Sequence, residues 1–72
     1  MDGIVIDPEI LSGTPVFRGT RVPVKTMLDY LASGVSSMQD FLEDYPSVSA
    51  LDAKKVLDSM GEVLLKELPA EA

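Results

Sequence analysis

Residues 13–24, GTPVFRGTRVPV, fit neither a helix nor an uninterrupted strand. Gly13 and Gly19 accept positive φ, which residues with a Cβ avoid. Pro15 and Pro23 fix their own φ and hold Thr14 and Val22 extended. The segment reads as an inflexible corner that feeds a helix, because Pro23 suits a first helical position. The β-like triplets on either side of Gly19, at 15–18 and 20–22, predict a small hairpin inside the corner. Ahead of it, IVI at 4–6 predicts a short or edge strand, stopped by Asp7-Pro8. PEIL at 8–11 predicts a single turn capped by Asp7, and Ser12-Gly13 a further turn.

After the corner the chain is written in helical period. Val24, Met27, Leu28 and Leu31 make one stripe, with Lys25, Thr26, Asp29 and Ser33 turned away and Gly34 placed to end the helix. Met38, Phe41, Leu42 and Tyr45 make a second stripe. It opens at Ser36 or Ser37, where Ser37 and Asp40 resemble a capping box, and it is stopped by Pro46. A third helix opens at Ser49 and gathers Ala53, Val56, Leu57, Met60, Val63, Leu64 and Leu68 on one face. Leu51, Asp58 and Leu65 fall on the opposite, nominally wet face. Gly61 lies inside this helix and either breaks it or lets another backbone approach. The pattern predicts one mainly α domain: a β/turn segment at 1–22, a three-helix core at 23–68 in which the helices cover one another, and a frayed tail at 69–72.

A chain of 72 residues allows one thin core, and with no cysteine no disulfide supports it. Self-association is the expected remedy. The strands could pair within one chain or across a dimer. Without cysteine and histidine, thiolate or imidazole metal sites and histidine-based catalysis are excluded. The acids Asp40, Glu43 and Asp44 read as a solvated helix face, and no nucleophile has a base beside it. We therefore assign no catalytic residue, and expect no cofactor, metal or small-molecule substrate. No apolar run suffices for a membrane span and the N-terminus lacks a signal-peptide pattern, so a cytoplasmic location is expected.

The net charge is −6, which opposes nonspecific binding to a polyanion. Of the six basic residues, Arg18, Arg21 and Lys25 fall within eight positions, and no acid lies between Glu9 and Asp29, so this is the only basic segment of an acidic chain. Two readings stay open for them: contact with an outside phosphate or carboxylate, or an internal tie to the chain's own carboxylates or helix-end carbonyls. The second and third helices have a helix-turn-helix outline. Lys54 and Lys55 are its candidate DNA contacts, with Asp52 and Asp58 offsetting them. Leu51 and Leu65 offer apolar anchors for a partner or a dimer.

The string DP-x-I-x-x-G-x-P-x-x-x-G-T-R-x-P-V, then G-V-S, then D-Y-P, occurs at Asp7-Pro8, Ile10, Gly13, Pro15, Gly19-Thr20-Arg21, Pro23-Val24, Gly34-Val35-Ser36 and Asp44-Tyr45-Pro46. In these residues the chain resembles the domain-of-unknown-function 433 family, whose members look like VapB-type antitoxins. The resemblance implies a homeodomain-like or winged-helix-like helical fold with a short N-terminal β element, and a homodimer. It also implies a PIN-like nuclease toxin that the protein would bind and silence, with DNA binding as an autoregulator alongside. A stand-alone DNA-binding regulator is the alternative. The resemblance further implies a glycine where this chain has Ser12, a change expected to be tolerated.

Overall fold

The computed structural model describes residues 2–67. They form β1 (Ile4–Val5), a 3-10 turn at Leu11–Gly13, β2 (Val16–Phe17), α1 (Val24–Ala32), α2 (Met38–Asp44) and α3 (Ala50–Glu67). The chain is thus mainly helical, with one two-stranded antiparallel sheet, and is compatible with a small helix-turn-helix-like domain. None of the described helices is long and apolar enough to cross a membrane.

The corner is closed by its own backbone. Phe17 N–H donates to the Val22 carbonyl and Val24 N–H, an orphan at the helix start, donates to Pro15 O, both at 3.0 Å. Thr20 locks the turn between them: its hydroxyl donates to Phe17 O at 2.8 Å and accepts from Val22 N–H at 3.0 Å. The expected hairpin is therefore reduced to a turn with one bridge, Val16 to Pro23. The strand partner of β2 is β1 instead, with Ile4 opposite Phe17 and Val5 opposite Val16, so the pairing lies within one chain. Residue 6 drops out of the predicted strand. Asp7 caps the next turn as expected, its carboxylate accepting from Glu9 N–H at 2.9 Å.

Pro23 is the residue before the first helical one, at ψ 140°, so α1 begins one position later than predicted. Gly34 ends it at φ 78°. Ser37 and Asp40 form a complete capping box on α2. Ser49 Oγ accepts from Asp52 N–H at 3.2 Å at the start of α3.

The core gathers Phe17, Val24, Met27, Phe41, Val48, Ala53 and Val56. All four aromatic residues join one cluster, with Phe41 between Phe17 at 5.8 Å, Tyr30 at 5.5 Å and Tyr45 at 5.3 Å. This cluster ties β2, α1 and α2 together.

The third stripe behaves differently from its prediction. Ala53 and Val56 are buried and Met60 is partly buried, but Leu57, Val63 and Leu64 are exposed. The reason is length. An 18-residue helix runs about 27 Å, and the two short helices and two-residue strands cover only its first half. Gly61 neither breaks α3 nor meets a backbone: a Cβ placed there would find nothing within 4 Å. Leu68 and the tail at 69–72 lie outside the described residues.

Candidate functional site

The basic segment resolves residue by residue. Arg18 reaches across to the first turn of α3, where Nε donates to Asp52 Oδ2 at 3.1 Å and Nη2 to Asp52 Oδ1 at 2.9 Å. This is the forked geometry that guanidinium and carboxylate favour. Its environment is lopsided: the Asp52 side chain is 8% exposed and that of Arg18 55%. Gly3 sits beside the pair, and its carbonyl accepts from Arg18 N–H at 2.9 Å. At φ 86° it brings β1 close to α3, since a Cβ would lie 3.3 Å from Val56 Cγ2 and 3.5 Å from the Asp52 carbonyl. Gly3, Arg18 and Asp52 are thus a clamp holding the sheet on the start of α3.

Arg18 accordingly takes the internal reading of the two left open by the sequence. Asp52 faces inward as its partner rather than outward as an offset to the lysines. Lys25 pairs with Asp29 at 2.9 Å and Lys54 with Asp58 at 2.6 Å, both one helical turn apart and exposed. Lys55 lies 3.8 Å from Asp2. Arg21 is exposed and has no ion pair among the described residues. The five cations form no continuous strip, because four of them face carboxylates of their own chain.

The acids of α2 have local tasks. Asp40 closes the capping box, Glu43 accepts from Gln39 Nε2 at 3.3 Å, and Asp44 accepts from the Tyr30 hydroxyl at 2.6 Å. That last bond stabilises the neutral phenol, and together with desolvation and the nearby carboxylate charge it pushes the Tyr30 pKa up from 10.0 to about 12. Among the described residues no three carboxylates converge as a cation site.

An apolar groove of about 270 Å³ lies between β1, the corner, α1 and α3. Ile4, Pro15, Val24, Leu28 and Met60 line it, with Lys25 the one charged contributor. Sequence periodicity missed it, because it is made by residues from four segments that no single stripe connects. Leu51 and Leu65, picked from the sequence as anchors, are both more than half exposed.

The comparisons with known proteins agree with the sequence string. An uncharacterised protein of Sinorhizobium fredii (strain NBRC 101917 / NGR234), y4eO, is 47% identical over 53 residues, 74% of this chain. The chain spans only 22% of that relative's length. No solved structure matches. The profile described as "Protein of unknown function (DUF433)" matches residues 4–58, from β1 through the clamp into the middle of α3, and the chain belongs to that family.

Proposed function

We propose that the chain is an antitoxin-like interaction module of a type II toxin–antitoxin pair. It acts in the cytoplasm as a homodimer that binds and neutralises a PIN-like nuclease. The observation that carries this reading is the surface of α3. Leu51, Val63, Leu64 and Leu65 are all more than half exposed on a chain of net charge −6. Large apolar side chains left in water on one helix mark a protein–protein contact. The surrounding acidity suits the basic groove of a nuclease that handles a polyanion.

Binding to its own promoter is the weaker part of the reading. The N-terminal turn of α3 is the part that would enter a major groove. Its Asp52 is turned inward onto Arg18, and Lys54 is held by Asp58.

The test is to co-express the chain with a PIN-like nuclease from its own host and to measure RNA cleavage by the purified complex. The expected result is a stoichiometric complex with cleavage suppressed, and relief of suppression by Leu51→Asp, at unchanged helicity. Full cleavage in the presence of excess wild-type chain refutes the proposal.

A further inference from the structure

The outer half of α3, residues 57–67, lies outside the core and almost wholly beyond the segment 4–58 that the family profile covers. At 100° per residue, Val63, Met60, Leu64, Leu57, Gly61 and Leu65 fill an arc of about 200°. Glu67 interrupts it only at the last described residue. A helix lying on one surface shows an apolar stripe about 100° wide. An arc of twice that width is covered only when the helix is embraced from two sides.

Met60 belongs both to this arc and to the lining of the groove, so the two apolar surfaces are continuous. Gly61 falls within the arc. A glycine disfavours a helix interior, and here no atom of the same chain approaches it. Its missing side chain leaves room for something from outside.

The chain itself points to what that is. Leu57, Val63, Leu64 and Leu65 are exposed on α3, and the apolar groove lies on the same chain, so each chain carries both a projecting apolar face and an apolar recess that can receive it. That is the requirement of a two-fold dimer.

We propose that this surface is the seam between two copies of the chain. The outer halves of the two α3 helices cross antiparallel at Gly61, and each seats Val63 and Leu64 in the groove of the other copy. Glu62 and Glu67 then approach the Lys25 side of that groove. The proposal rests on the homodimer of the preceding reading and names its surface.

The test is sedimentation equilibrium of the purified full chain at micromolar concentration, in the wild type and in the Gly61→Gln and Leu64→Asp variants. The wild type is expected at twice 7.8 kDa. Both substitutions are expected to weaken dimerisation by about tenfold or more, since one obstructs the crossing and the other places a charge in an apolar seam. Gly61→Gln is expected to keep or raise helicity, which separates loss of the seam from loss of the fold. Val35→Asp, at an exposed site in the loop after α1, is the control and is expected to change nothing. Because the chain has no cysteine, Gly61→Cys should give a single disulfide-linked dimer on oxidation. A wild-type dimer indifferent to Gly61→Gln and Leu64→Asp overturns the seam and leaves the homodimer standing. A monomeric wild type overturns both. Neither result bears on nuclease binding, which is measured with the partner present.

Discussion

Replacing Arg18 by alanine is predicted to destabilise the protein more than replacing its partner, and the order of the two effects is the test. The Asp52 side chain is 8% exposed, and Arg18 supplies both of its side-chain hydrogen bonds among the described residues. Arg18→Ala leaves this carboxylate unpaired and poorly hydrated, at a cost of about 2 kcal/mol. Asp52→Ala leaves a guanidinium whose side chain is 55% exposed and can be rehydrated. The loss there is about 1 kcal/mol, including the favourable position of an acid in the first turn of α3. The double variant removes the stranded charge together with the arginine. Its cost is predicted to be about 1.5 kcal/mol, less than that of Arg18→Ala alone, for a coupling of about 1.5 kcal/mol. For a domain this small each kcal/mol moves Tm by about 4–8 °C. The difference between Arg18→Ala and wild type is then well within the reach of urea titration followed by circular dichroism at one fixed protein concentration. Additive single effects, or Asp52→Ala the costlier of the two, would refute the idea that the clamp holds the sheet to α3.

Two further outcomes follow from neighbouring geometry. The Tyr30 phenol, with its pKa raised from 10.0 to about 12, holds its proton longer in the folded than in the unfolded chain, so its contribution to stability is complete below pH 10 and is lost as pH rises towards 12; phenolate absorbance should show one late-titrating tyrosine that Asp44→Asn moves back towards pH 10. Gly3→Ala should cost about 1–2 kcal/mol, because φ is 86° and a Cβ would crowd Val56 and Asp52; thermal unfolding at or above the wild-type Tm would show that β1 does not lie against α3.

What was legible in the sequence was whatever is decided over a few residues. Ser37 and Asp40 announced their capping box, Gly34 its helix end, and Val24 and Met27 their buried face, because each depends on neighbours one turn away. What failed depended on length and on distant segments. The stripe of the third helix runs unbroken from Ala53 to Leu64 in the sequence, and nothing in its period says that the rest of the chain is too short to cover it. Arg18 and Asp52 are 34 positions apart, so spacing could offer the arginine an internal carboxylate in general but could not say which one. Gly3 gave no signal, since its small size matters only against a helix that arrives some fifty residues later. Ser12 is a further case: at φ 56° and ψ 34° it occupies the left-handed region. Glycine enters that region without strain and most residues with a Cβ avoid it, which is the physical reason for the glycine that the family resemblance implies there.

The clamp and the outer half of α3 bear on each other. Asp52 fixes the direction in which α3 leaves the sheet, and an 18-residue helix converts a small change of angle at its first turn into a displacement of several ångströms at its far end. The groove lies on the same chain as the clamp, and two of its lining residues, Ile4 and Pro15, come from the β1 and corner segments that the clamp holds down. A loosened clamp would therefore misplace both halves of the proposed self-complementary contact at once. In a symmetric pair the error is made twice. This explains why so small a chain would keep a partly buried ion pair, which by itself is weak evidence for stability. Its value lies in fixing one direction for a helix that the monomer does not cover. It also divides the surface. If the arc around Gly61 is closed by a second copy, a nuclease must be met by what stays in water: Leu51 and the acidic faces of α2 and α3, presented twice by a dimer whose geometry Arg18 and Asp52 set.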